Sequence, residues 1–133
     1  MDISDIKTVD RTVEIRHPKS GEPLGIRLKI MSLDDERLAP MKRKLLDRRL
    51  YLEARGKTFK ADEIEENKIN LMIAAITDWE WYKPEGATEA PSFHGEADPD
   101  FNRKNVAAIL TELPWFAEQV GEAAGETESF FDN

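Results

Sequence analysis

"AITDWEWYKPEG", residues 75–86, decides how this chain is read. Apolar residues at helical spacing run up to it through Ile69, Met72, Ile73 and Ile76, and there the spacing changes. Trp79 and Trp81 lie two apart, whereas neighbours on one helix face lie three or four apart. Two is the repeat of an extended segment, in which alternate side chains share a face. The stretch therefore predicts a helix from about Ala61 to Thr77, then an extended exit with both tryptophans pointing the same way. Ile64 and Leu71 belong to the buried side of that helix, and Asp62, Glu63, Glu65 and Glu66 load its first turns with acid, as the helix dipole favours.

Working back from this helix, "GKTF" (56–59) is a short connector, so an earlier helix should form an antiparallel pair with it across residues 32–82. Ser32 is the N-cap candidate of that first helix, with Asp34, Asp35 and Glu36 in its first turn. Leu38, Met41, Leu45 and Leu52, with Leu46 and Ala54 nearby, supply a helical apolar stripe. Pro40 either kinks the helix or delays its regular start, and Gly56 fits the position just past its end. Residues 11–31 read as a β-hairpin. Val13 and Ile15 alternate with polar residues, as do Ile26, Leu28 and Ile30, and "HPKSGEPLG" between them is a long turn. A lone hairpin is marginal in water, so this apolar face should lie on helices. Residues 1–10 are polar and should be flexible.

Working forward, residues 83–100 carry three prolines and two glycines without helical period, a long loop of the kind that is functional or partly disordered. Residues 101–124 resume a helical pattern through Phe101, Val106, Ile109, Leu110 and Leu113. Pro114 divides it into two helices, sitting in the first turn of the second, where its missing N–H costs little. Trp115, Phe116 and Val120 share a face there, and Trp115 and Phe116 should pack with the tryptophans of 79–81. Residues 125–133 form an acidic tail with Phe130 and Phe131. The expectation is a single domain over 1–133, mainly α with an N-terminal β-hairpin (α+β) and about four helices.

The charge is divided. Residues 1–60 hold 15 of the 19 Lys and Arg against 10 of the 27 Asp and Glu; residues 61–133 hold the other 4 bases and 17 acids. Such a division either lets copies associate head to tail, basic part on acidic part, or reflects solvated helix faces that differ in charge. The overall net charge of −8 disfavours nonspecific nucleic-acid binding. The basic run "KRKLLDRR" (42–49) has no interleaved aromatics, as a single-strand binding surface would require. On a helix it reads as a solvated flank of the leucine stripe, long basic stems covering apolar surface. Cysteine is absent, which excludes disulfides and thiolate metal sites. No signal peptide or membrane span is apparent, so the sequence reads as soluble and intracellular.

Catalytic chemistry is thinly supplied. His17 precedes a proline in the hairpin turn and His94 lies in the long loop, and neither has a neighbour that would make it a general base or metal ligand. Phosphate-binding, nucleophile-elbow, zincin and dinucleotide motifs do not occur, and "GEADPDFN" lacks the ligand spacing of a calcium loop. The expectation is a non-enzyme without cofactor or metal. Trp79 is assigned to the core, while Trp81, Tyr82 and Phe93, with Phe130 and Phe131 on the tail, are the partner-binding candidates.

Together these residues resemble a known family. "IAAITDWEW" running into a glycine-containing loop, "NRKNVAAIL" starting on an asparagine, and "PWFAEQVGEAA" with its apolar anchors are similar to the tail assembly chaperones of long-tailed, non-contractile bacteriophages. "HPKSGEPLGIRLKIMSLDDE" is similar to phage proteins with a short hairpin before an Asp-rich helix start, and the resemblance spans about 11–131. It implies a small, mostly helical, non-enzymatic protein that acts in the bacterial host cytoplasm as a phage or prophage product. It implies binding to the tape measure protein, recruitment of tail tube protein, absence from the finished virion, and a longer form made by ribosomal frameshifting. Self-association is compatible with it; nucleic acid and membrane are not implied partners. A structural virion component, such as a tail completion or connector protein, is the alternative, and an acidic mimic of nucleic acid is a third reading.

Overall fold

A computed structural model describes residues 1–5, 9–57 and 61–125. The chain forms a small α+β domain in which a sheet is covered on one face by helices. Strands β1 (Arg11–Arg16) and β2 (Pro23–Ile30) form the expected hairpin, followed by helices α1 (Ala39–Ala54) and α2 (Ala61–Ala75). Strand β3 (Ile76–Trp81), a two-residue pair β4 (Ser92–Phe93) and β5 (Glu96–Ala97), and helices α3 (Arg103–Glu112) and α4 (Pro114–Gly125) complete it.

The hairpin does not stand alone. β3 pairs antiparallel with β2, giving a three-stranded sheet in the order β1-β2-β3. Helix α2 thus stops at Ala75 rather than Thr77 and runs straight into a strand, and the expected helical pair of 32–82 gives its last residues to the sheet. Ile76 satisfies both periods, continuing the helical series and opening the alternation Ile76, Trp79, Trp81. The β-branched and aromatic residues from Ile76 to Trp81 favour the pleated surface. Register places Leu28 opposite Val13 on one side and Trp79 on the other, and Ile26 opposite Trp81. Thr77 is the extra residue of a bulge, because Lys29 faces Asp78 while Ile30 already faces Ile76. Its hydroxyl donates to the Lys29 carbonyl at 3.1 Å.

The inner sheet face behaves as its alternation predicts. Ile15, Ile26, Leu28 and Ile30 are buried, and Val13 is half-buried against them. They meet Met72, Ile73 and Ile76 from the α2 end, Val106, Ile109 and Leu110 from α3, and Phe116 and Val120 from α4 in one core. On the outer face opposite charges stand opposite one another, which is the favourable cross-strand arrangement. Arg27 reaches Glu14 at 3.0 Å and Glu80 at 3.7 Å. The free edge of β1 is covered by one side chain, as Gln119 accepts from the Arg16 N–H at 2.9 Å and donates to its carbonyl at 2.8 Å.

The first helix starts later than Ser32. Ser32 is buried and accepts from the Asp34 N–H at 3.1 Å, while Asp35 caps a single 3-10 turn, Glu36–Leu38. Pro40 then lies in the first turn of α1, so its effect is delay rather than a kink. Arg37 binds Asp35 and Asp10, fastening the start of β1 to this turn. These bonds, Asp35 first, raise the Arg37 pKa above the usual arginine value, so this clamp stays charged. The expected stripe of α1 is buried only at its entry. Leu38 is buried, Met41, Leu45 and Leu52 are half-buried, and Leu46 is exposed; α1 itself has no fully buried side chain. Ile64, expected on the buried side of α2, is also exposed. The core is closed by α2, α3 and α4, which leaves α1 outside it. The predicted tail, apart from Gly125 at the end of α4, and Phe59 of the connector lie outside the described residues.

Gly25 is fixed by the sheet. Leu24, Gly25 and Ile26 together face the single residue Ile15, and this bulge holds Gly25 at a φ of +93°. A Cβ there would lie 2.1 Å from the Tyr82 carbonyl oxygen, whose own residue donates its N–H to Gly25 at 2.8 Å. Gly25→Ala should therefore cost about 2 kcal/mol or more in urea unfolding, since strain and clash add. A loss below about 0.5 kcal/mol, the size of an ordinary surface substitution, would contradict this packing.

Candidate partner-binding cleft

The aromatic residues are distributed by strand alternation. Trp79 and Trp81 both lie on the inner face, with ring centroids 5.6 Å apart in an edge-to-face arrangement. Trp79 is also edge-on to Phe101 at 5.5 Å, and its indole N–H donates to the carbonyl of buried Pro99 at 3.0 Å. Trp79 is half-buried against the core and holds the end of the long loop to the sheet. Tyr82, one residue past Trp81, turns the opposite way. Its hydroxyl donates to Glu14, and the Arg27 guanidinium lies 4.1 Å from its ring centroid.

Trp81 lines an open cleft of about 590 Å³ whose other aromatic walls are Phe93 and Trp115. Its floor is Ile26, Ile109, Leu113 and Phe116, and Pro23, Pro84 and Pro91 stand at its margin. Each wall has its own local cause. Phe93 is carried by the β4–β5 hairpin, whose turn residues His94 and Gly95 have φ of 50° and 80°. Two positive φ values in a two-residue turn match the twist of the strands they join. The His94 ring nitrogen lies 2.6 Å from a Glu112 carboxylate oxygen, tying this hairpin to the end of α3. Trp115 enters on the first turn of α4, directly after Pro114, and is edge-on to buried Phe116 at 5.9 Å.

Of the sequence-predicted candidates, the structure brings Trp81 and Phe93 into one cleft and places Tyr82 on the other side of the sheet. Phe130 and Phe131 lie outside the described residues. Trp115, assigned by sequence to packing with the other tryptophans, shares the cleft with Trp81. The proline margin has two sequence signals, the prolines of the "HPKSGEPLG" turn and those of residues 83–100, and neither shows that the two segments meet.

Chemically the cleft offers apolar surface and one unused donor. The Trp81 indole N–H is buried and has no acceptor among the described residues. The polar side chains lining the cleft, His17, Glu89 and Ser92, form no hydrogen bond with one another among the described residues, and His17 Nδ1 already accepts the N–H groups of Lys19 and Ser20 at 3.1 and 3.2 Å. Among the described residues no group of three or more His, Asp or Glu could hold a metal ion, and no helix is long and apolar enough to cross a membrane. No family model matches the chain, and no curated protein or solved structure matches it.

The two indoles differ in a way that stability measurements read directly. Trp79→Phe deletes a made hydrogen bond and Trp81→Phe deletes an unmet donor. Trp79→Phe is therefore expected to be the less stable of the pair by about 1 kcal/mol, the usual net value of a bond lost. The reverse order in urea unfolding would show that the Trp81 N–H is satisfied.

Proposed function

We propose that this chain is a tail assembly chaperone of a long-tailed bacteriophage. In this reading it is a non-enzymatic protein of the host cytoplasm that binds the tape measure protein, helps recruit tail tube protein, and leaves before the virion is complete. The observation that carries the reading is the open aromatic cleft. Its walls are tryptophan and phenylalanine, residue types that anchor interfaces when they fill or form a pocket. A long amphipathic helix presents apolar side chains at one-turn intervals, which suits such a cleft. The order of elements supports the same reading: a hairpin, a helix running into a strand that carries two tryptophans, a glycine-containing loop, an asparagine-capped helix and a last helix with apolar anchors. Asn102 does cap α3, accepting the Asn105 N–H at 2.8 Å.

Co-expression with the tape measure protein of the same gene cluster tests this. The chain should keep that protein soluble, and Trp81→Ala/Phe93→Ala should lose most of the effect, since such anchors contribute about 2 kcal/mol each. The variant's helical circular dichroism at the expression temperature serves as the folding control. Wild-type solubilisation by a folded double variant would remove the cleft from the interaction. Detection of the chain in purified particles by mass spectrometry would assign it instead to the virion, as a completion or connector component.

A further inference from the structure

Two apolar surfaces, one outside the core and one a groove that opens onto its edge, carry opposite charge. The first is the outer side of α1. Leu46 and Leu50, one turn apart, are 54% and 53% exposed, and Ile64 of α2, at 52%, extends the same patch. Lys42 and Arg43 precede Leu46 by one turn and form no ion pair among the described residues. The second surface is a groove of about 540 Å³ between α2 and α4. Its floor includes Ile69, Met72, Leu110 and Ala117, and Glu65, Glu118 and Glu122 stand along it against one base, Lys68. Gly121 lines the groove beside Met72, whose sulfur would lie 3.6 Å from a Cβ at that position, an ordinary contact distance.

These surfaces cannot satisfy each other within one molecule. α1 meets α2 beside Ile64 and Asn67, whereas the groove is built on Glu65, Lys68, Ile69 and Met72. Symmetric pairing is disfavoured as well, since α1 on α1 sets bases against bases and groove on groove sets carboxylates against carboxylates. Helix into groove pairs leucines with an apolar floor and bases with acids. We propose that the chain associates head to tail with a second copy of itself, Leu46 and Leu50 of one copy seated in the Glu118/Glu122 groove of the next. Such an interface is heterologous: each copy has one used and one free surface, and growth continues until a ring closes.

Sedimentation velocity on the full chain tests this. At ionic strengths of about 0.01–0.1 M, where exposed charges interact over roughly 10–30 Å, the mass should rise with protein concentration. At about 1 M salt, where that range falls to about 3 Å, association should weaken by about tenfold or more. Leu50→Asp breaks the helix surface and Glu118→Lys/Glu122→Lys breaks the groove. All three residues are exposed, so both variants should keep the wild-type circular dichroism. Each alone should be monomeric, and an equimolar mixture should give a 1:1 complex of two chains, because each variant retains one intact surface. Lys42→Glu/Arg43→Glu, which leaves the leucines in place, serves as a second helix-side variant and should likewise be monomeric alone. A wild-type chain that stays monomeric throughout, self-association of either variant alone, or a mixture that stays monomeric would each overturn the proposal.

Discussion

Burial of Ile26, Leu28 and Ile30 between two flanking strands and a cover of helices governs the rest of the molecule. Each such side chain contributes about 1.5–3 kcal/mol when fully removed from water. A slip of one residue would turn the whole set to solvent, so the register is strongly specified. That register fixes what β3 can present. With Leu28 opposite Trp79 and Ile26 opposite Trp81, both indoles must face inward and Tyr82 must face outward. The Thr77 bulge lets the chain pass from helix to strand without losing this alignment, and the Gly25 bulge keeps β2 close enough for the Tyr82 backbone to pair with it.

The cleft follows from the same alignment. Trp79 has its donor satisfied by Pro99 and serves the core, whereas Trp81, nearer the strand end, lies where the covering helices stop. Phe93 and Trp115 reach it from separate elements, one on a tight hairpin fastened to α3 and one on the opening turn of α4. An aromatic-walled depression is thus a product of where β3 ends, with neighbouring segments completing it.

Much of this was legible from local pattern. The alternation of Val13, Ile15, Ile26, Leu28 and Ile30 announced the buried face, Pro114 announced the break between α3 and α4, and the two-residue spacing of Trp79 and Trp81 announced an extended segment. What local pattern could not supply was pairing. Nothing within residues 76–81 says that they lie beside β2, so the pattern predicts an unpaired extended exit and a helix two residues longer than the one that forms. Helical period likewise marks a stripe without saying whether anything covers it. Leu46 and Ile64 repeat as core residues do, yet the core closes without them. The bond between Gln119 and Arg16, 103 residues apart, has no sequence signal at all. The cleft was half legible: Trp81 and Phe93 were candidates because aromatics beside turns have no obvious core to fill, and their meeting with Trp115 depends on the tertiary fold.

Under the proposed function, the Trp81 cleft receives a helix of the tape measure protein. Hydrogen exchange of the chain, free and in complex with that protein, addresses it most directly. New protection is expected mainly in the backbone around Trp81, Phe93 and Trp115, with the amides of β2, paired on both sides, unchanged. A complex that forms while those three segments exchange as in the free chain would contradict it.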